Sequence, residues 1–357
     1  MKKLSYILLL LCFAACQSEP EIVEEATPLL HTRASSLHFA QTENLDLNAL
    51  GIIGPSKMIK KDSLYVLLTP KSKYRLAIYN SVSGSVHRLI PAGSGEGQGM
   101  YFLNLRLDGD VVSTFDYGTG RLIEINLTQY ALTGYQPTFT ILSNPGKLPL
   151  GAIRAGNNII STGIYTEGRY CCSDLANGTN TYSVGYPECA APSLSDSLKS
   201  IFYASNCLAV NPAHTRLACA NMQYGCLDIC DISGKQLSRV NEVHLTRPGV
   251  VFQHKRPRGN KMWYPVSYTR NNLFGFCDLT TSEEHIFALY SGRTYREYKG
   301  NVDKGRTIFV FDWNGSHVRT YHLSNTCSSI SYDKATNAIY ALSQEKGKAE
   351  VITLNLE

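Results

Sequence analysis

Six short segments of this chain share one plan: an apolar strand ends on Asp or Asn, a turn follows, and another strand begins. They are Leu76-Ala77-Ile78-Tyr79-Asn80, Leu122-Ile123-Glu124-Ile125-Asn126, Tyr170-Cys171-Cys172-Ser173-Asp174, Leu227-Asp228-Ile229-Cys230-Asp231, Ile308-Phe309-Val310-Phe311-Asp312 and Val351-Ile352-Thr353-Leu354-Asn355. The closing residues stand 46, 48, 57, 81 and 43 residues apart. Steps in the forties fit a four-stranded propeller blade, which takes about 40–50 residues. Beyond about residue 30 the chain has short Val/Ile/Leu/Tyr/Phe runs broken by Gly, Asn, Asp and Ser, and almost no helical period. Turns such as Ser233-Gly234-Lys235 and Trp313-Asn314-Gly315 carry the residues that hairpins need.

The repeats therefore predict an all-β, six-bladed β-propeller of four-stranded antiparallel blades. A single blade is apolar on both faces and cannot hide either alone; radial stacking buries both and leaves only short edges. The 81-residue step has two readings. Residues 247–268 are an insertion, or Phe276-Cys277-Asp278 marks a seventh blade. The second splits the step into 47 and 34 residues, and 34 is tight for four strands, which favours six. The last repeat, from Ser328, has room for about three strands. The segment Ser35-Ser36-Leu37-His38-Phe39-Ala40 can supply the missing outer strand and close the ring.

The amino terminus carries an address. Lys2 and Lys3 precede a greasy run, and Phe13-Ala14-Ala15-Cys16 follows it. A basic start, a short apolar stretch and small residues before a cut form a secretory signal peptide. The run is about half of the ~20 residues that a bilayer-spanning helix needs. Phe13-Ala14-Ala15-Cys16 resembles the lipobox of bacterial lipoproteins, which implies cleavage before Cys16 and acylation of its thiol. The expected division is a signal peptide over 1–15, an acidic tether over 16–30 and one propeller domain over 31–357. The stretch Gln17-Ser18-Glu19-Pro20-Glu21 and its neighbours resembles the tag that sends some lipoproteins to the cell surface, so an outer-membrane location, surface or periplasm-facing, is expected. Such a compartment disfavours ATP-driven, NAD-dependent and nucleic-acid functions. Without Lys2 and Lys3 the balance is 32 basic to 29 acidic residues, too mild for a nucleic-acid partner.

Nine cysteines remain after Cys12 and Cys16: Cys171, Cys172, Cys189, Cys207, Cys219, Cys226, Cys230, Cys277 and Cys327. Export permits disulfides, and Cys171 or Cys172 with Cys189 would close a short loop. Buried free thiols acting as small hydrophobes are the favoured reading. No Cys-x-x-Cys and no finger-like His spacing occurs, so no zinc site and no cofactor is predicted.

Three stretches resemble the TolB-like six-bladed propeller lipoproteins of anaerobic Gram-negative bacteria, over residues 50–357. Gly93-Ser94-Gly95-Glu96-Gly97-Gln98-Gly99 resembles the family's G-x-G-P-G-E-F, with Glu96 and Gln98 replacing its Pro and Glu. Ile286-Phe287-Ala288-Leu289-Tyr290-Ser291-Gly292-Arg293 resembles its strand ending in Tyr-Ser-Gly. The run from Ile308 through Trp313, with Tyr321, and Asn337-Ala338-Ile339-Tyr340-Ala341-Leu342 resemble its V-F-D-W-x-G…Y and I-Y-A-L segments. The resemblance implies fold and address, and no reaction.

Catalytic motifs do not occur: there is no G-x-S-x-G, H-E-x-x-H or P-loop. The expected function is non-catalytic binding of a protein or polysaccharide partner. The alternative is a calcium-dependent hydrolase or lyase with acids such as Asp116, Asp174, Asp278 or Asp312 at the channel mouth; the simpler role for these is strand-end turns. The candidate binding residues are Trp263, Tyr264, Tyr268, Arg270, Tyr290, Arg293, Tyr295, Arg296 and Tyr298, because Tyr, Trp and Arg dominate interface energetics and the aromatic rings also stack on sugars. Tyr165, Arg169, Tyr170, Tyr182 and Tyr186 form a second cluster.

Overall fold

The computed structural model describes residues 45–142, 146–187, 195–252, 256–258, 261–263, 266–345 and 347–356, with short strands at 22–24, 27–28 and 41–43. Four four-stranded antiparallel sheets come first. Their inner strands are Lys57–Lys61, Arg106–Asp108, Leu148–Ala155 and Asn206–Val210, and each sheet runs outward in chain order. A seven-stranded sheet follows, from Phe276–Thr281 to Gln41–Glu43. It contains two blades in succession, because the long strand His317–Asp333 serves both. Its first part pairs with Gly305–Asp312 (Arg319 opposite Val310), as the outer strand of the fifth blade. Its second part pairs with Ala338–Glu345 (Ile330 opposite Ala341), as the inner strand of the sixth.

All six repeat segments turn out to be third strands of a blade. Their runs of consecutive apolar residues reflect burial on both faces rather than the alternation of a half-exposed sheet. The core confirms the count, because six apolar clusters sit one at each junction between neighbouring blades. Val66, Ile78, Val112 and Ile123 join the first and second. Phe115, Leu122 and Ile159 join the second and third, and Ile160, Cys172, Leu217 and Cys230 the third and fourth. Leu227, Ile229, Phe276 and Phe311 join the fourth and fifth, and Leu289, Ile308, Ile339 and Ile352 the fifth and sixth. Met58, Leu67, Tyr340 and Val351 join the sixth back to the first.

Phe276–Thr281 is the inner strand of the fifth blade, so the seventh-blade alternative falls. The long step arises from short strands inserted between the fourth and fifth blades, Val250–Phe252 and Val266–Tyr268 among them. Residues 35–40, expected to close the ring, lie outside the described residues. The adjacent Gln41–Glu43 performs that task, pairing with the last strand through Gln41 opposite Thr353 and Glu43 opposite Val351. Within 16–30, expected as a solvated tether, Ile22–Glu24 pairs with Val250–Phe252, and Thr27–Pro28 with Thr246–Arg247. Cys16 lies outside the described residues.

The eight described cysteines are all buried, and no disulfide joins them; Cys189 lies outside the described residues. The Gly-rich segment lies in the connection between the first and second blades. Ala92 bridges Gly99, the Gln98 side chain accepts from the Gly95 amide, and Arg121 donates to the Gln98 carbonyl.

Candidate functional site: a channel mouth closed by ion pairs

Three inner strands each place a buried charge toward the centre of the ring. Lys57, Arg106 and Asp278 come from the first, second and fifth blades and meet on the axis. Asp278 is 2% exposed. It lies 3.1 Å from Arg106 Nη1 and 3.8 Å from Lys57 Nζ. It also accepts from Ser329 Oγ at 2.6 Å and from the amides of Leu279 and Ile330 at 3.0 and 3.3 Å. Lys57 donates to the carbonyls of Cys277 (2.6 Å) and Ser328 (3.0 Å), and Arg106 donates to that of Leu208. One buried carboxylate with two cations thus ties five of the six blades together. Burying such charges is tolerable only because each is paired and hydrogen-bonded.

Sequence reasoning named Asp278 as a calcium ligand or turn residue and did not single out Lys57 or Arg106. Only Asp278 stood out, as the single charge in Phe276–Thr281; Lys57 and Arg106 sit in strands with other charges, KMIKK and RLD, and carry no such signal. The other three acids are turn residues, as the simpler expectation had it. Asp116 accepts from the amides of Met100 and Tyr101, both at 2.9 Å. Asp312 accepts from Asn314 N at 2.9 Å and Ser316 N at 2.8 Å. Asp174 accepts from Ala176 N at 2.8 Å and pairs with Lys235 at 2.5 Å; the hydrogen bonds from Lys235 and Asn177 hold its carboxyl well below the usual range.

Where the inner strands end, the ring opens into a groove of about 970 Å³ that runs out between the fifth and sixth blades. Lys61, Asp108, Val210, Thr281 and Asp333, the last residues of five inner strands, line it. Its deeper wall is apolar and aromatic. Phe287 and Tyr332 stack at 5.4 Å, Arg319 sits 5.8 Å over Tyr321, and Val318 is half exposed. Several charges at the mouth are already engaged. His214 Nδ1 accepts from the Gly156 amide at 3.0 Å, which makes Nε2 the protonated nitrogen, 3.0 Å from Asp108. Asp333 accepts from the Ala335 amide and Thr336 hydroxyl. The arrangement offers shape, an apolar wall and a charged rim.

Tyr290, Arg293, Tyr295, Arg296 and Tyr298 lie at the other end of the blades, because His285–Tyr290 starts at the groove and runs away from it. Tyr290 packs on Phe276 and Phe309, and burial pushes its hydroxyl up to about 12. Arg293 donates to the Asn301 carbonyl (3.0 Å) and Thr326 hydroxyl (2.8 Å), with its guanidinium 4.4 Å over the Tyr298 ring. Tyr268 donates to the Phe202 carbonyl, and burial raises its hydroxyl. These three hold the fold. Tyr295 and Tyr298 are 50% and 43% exposed, and Arg270 and Arg296 are also at the surface, joined by the Arg296 amide on the Arg270 carbonyl. Trp263 ends the strand Lys261–Trp263, described by backbone alone, and Tyr264 lies outside the described residues. In the second cluster Tyr165, Arg169, Tyr170 and Tyr186 are buried and Tyr182 is half-buried. Arg169 pairs with Asp228 at 3.0 Å, Tyr170 donates to the same carboxylate, and Tyr186 donates to the Tyr165 carbonyl.

A family model described as TolB-like 6-blade propeller-like matches residues 38–335. None of the curated proteins matches the chain. Among solved structures, a member of the duf4221 family from Bacteroides vulgatus ATCC 8482 superposes with a TM-score of 0.50 at 10% identity, covering 92% of this chain and 98% of that one. A protein from Bacteroides fragilis NCTC 9343 gives 0.49 at 8% identity, covering 94% of each. The Cps50 (Swd1) β-propeller domain of Myceliophteria thermophila gives 0.45 at 11%, covering 94% of this chain and all of that one. At such identities the likeness is one of fold.

Proposed function

The chain belongs to the TolB-like 6-blade propeller-like family, and from that membership we propose that it is an exported, lipid-anchored ring that binds a protein or glycan partner without catalysis. The groove carries this reading. About 970 Å³ of recess, walled by Phe287, Tyr321 and Tyr332 and rimmed by charge, has the shape and mixed chemistry of a recognition site. Anchoring rests on Cys16 behind its apolar leader. Among the described residues no helix is long and apolar enough to cross a membrane. Two acyl chains on Cys16 would supply firm attachment where one would not.

The exposed Tyr295 and Tyr298 on the opposite face support a second contact surface, since a Tyr braced by an Arg loses little freedom on binding. Chemical crosslinking in native envelopes separates the two. Val318→Glu should cut partner capture about tenfold or more, the loss expected at a central contact, while the Tyr295→Ala/Tyr298→Ala pair leaves it unchanged. The reverse pattern moves the site to the other face, and unchanged capture by both variants overturns the proposal. Protease and glycosidase treatment of the captured material decides between protein and glycan. Mass spectrometry of the mature amino terminus tests the anchor, and Cys16→Ser should release the protein to the soluble fraction. Calcium should leave the melting temperature unmoved; a concentration-dependent rise would favour the hydrolase or lyase alternative.

A further inference from the structure

The outer half of the fourth blade brings together a thiol, a carboxylate and an imidazole that no function above uses. Cys226 opens the strand Cys226–Ser233, and His244 ends its neighbour Gln236–His244 directly opposite, with Glu242 two residues back on the same face. The Cys sulfur, a Glu oxygen and a His ring nitrogen all lie within 4.8 Å of one another. Glu242 Oε1 meets His244 Nε2, and Glu242 Oε2 lies 3.4 Å from Arg239 Nη1.

We propose that Cys226, Glu242 and His244 form a binding site for a zinc(II) ion. The donor set is the first reason. One thiolate, one imidazole and one carboxylate are the three ligand types that zinc takes, at about 2.0–2.3 Å. Such bonds need donor separations of about 3.3–3.8 Å, so the observed cluster closes on an ion by rotamer adjustment alone. Support around the donors is the second reason. Arg239 braces the carboxylate from behind and itself bonds Asp228 at 2.8 Å. The Tyr224 ring stacks on the imidazole at 6.3 Å and 18°. Outer-shell partners of this kind orient metal ligands. Access is the third. Cys226 is fully buried, whereas Glu242 and His244 keep 18% and 17% of their side chains in solvent, so an ion enters past them and reaches the thiol last. Binding forms three metal–ligand bonds and releases the thiol proton to solvent; three protein ligands leave one position for water or another donor. The site was invisible to a search for short Cys/His spacings, because a hairpin register rather than a local motif assembles it.

The test is a titration of the chelator-treated, purified protein with cobalt(II), then zinc(II). The expected result is one cobalt per chain with a thiolate-to-cobalt charge-transfer band in the near ultraviolet, bleached when zinc displaces it, and a zinc-dependent rise in melting temperature. Cys226→Ser should abolish the band. Glu242→Gln, at a half-buried position that keeps the fold, should keep the band and weaken zinc binding about 10–100-fold, the usual cost of losing a ligand or its support. No band in the wild-type protein, a band retained in Cys226→Ser, or wild-type affinity in Glu242→Gln would each overturn the assignment. If Cys226→Ser fails to fold, the Glu242→Gln affinity, with circular dichroism confirming its fold, decides.

Discussion

Asp278→Asn isolates the physics of the ring's axis. The substitution keeps the shape of the side chain and removes its charge. Arg106 at 3.1 Å and Lys57 at 3.8 Å then remain buried with no anion between them. Removing one partner of a buried pair costs about 3–5 kcal/mol, because the surviving charge is uncompensated. Here two cations survive, but Lys57 keeps the carbonyls of Cys277 and Ser328 and Arg106 keeps that of Leu208. These dipoles offset part of the loss, so about 3–5 kcal/mol stands as the estimate rather than twice that. For 357 residues, at about 2.1 cal/mol/K per residue, each kcal/mol moves the midpoint by about 1.3 °C, which gives a fall of roughly 4–7 °C. The assay is thermal and urea unfolding of Asp278→Asn beside Lys57→Met and the double variant. The double variant should lose less than the sum of the singles by at least about 1 kcal/mol, since partners in one network couple by about 0.5–3 kcal/mol. A loss below about 1 kcal/mol for Asp278→Asn, or strict additivity, would refute the claim that this carboxylate neutralises the channel.

Burial pushes the thiols of Cys172 and Cys219 up to about 11 and that of Cys327 up to about 12. An unfolded thiol titrates near 8.5. The folded state therefore holds these protons longer, stability is full below about pH 8.5, and it is lost as pH rises through 11–12. Melting scans from pH 8 to 11 should fall steadily, and a thiol reagent at pH 8 should leave the eight described cysteines untouched until denaturant is added. Gly275→Ala should destabilise by at least the roughly 1–3 kcal/mol of an overpacked core. A Cβ there would lie 2.1 Å from the Tyr224 carbonyl oxygen and 2.3 Å from that of Asn221, both backbone atoms that cannot step aside; a wild-type melting temperature for this variant would refute the close approach.

The ring was legible because its sequence signal is local. A third strand buried on both faces needs four or five apolar residues in a row, and the residue that leaves the sheet must serve a tight turn. Asn80, Asn126 and Asp312 do this by accepting from amides two to four residues on, at Val82, Thr128 and Ser316. The segment Leu227-Asp228-Ile229-Cys230-Asp231 shows where the pattern hides chemistry. Its interior Asp228 reads as an interruption of the strand, yet it is fully buried beneath Arg169, Tyr170 and Arg239. Insertion and closure were legible only as counts, a step too long and a last repeat too short. The exact closing segment, Gln41–Glu43, has no distinctive composition, because an outer strand needs backbone pairing more than apolar side chains.

The sites were less legible, and the reason is geometric. The Tyr- and Arg-rich run from Tyr290 to Tyr298 draws attention because its residues are neighbours in sequence, but neighbours in a strand-to-loop transition point in different directions. Tyr290 turns inward onto Phe276 and Phe309, Arg293 is spent on Asn301 and Thr326, and only Tyr295 and Tyr298 reach solvent. A propeller instead makes its concave surfaces from one or two residues of each blade, so Lys61, Asp108, Val210, Thr281 and Asp333 share a groove while lying a blade or more apart in the chain. The same logic explains the axis. With one residue from each inner strand, a channel can be filled by apolar bulk or crossed by paired charge. Here Lys57, Arg106 and Asp278 cross it, with Ser329 of the sixth blade completing the carboxylate's bonds. The pairing engages Asp278 with both cations and links strands of several blades across the centre of the ring. On the function proposed above, recognition would fall to the groove, which Tyr321, Tyr332 and the half-exposed Val318 line.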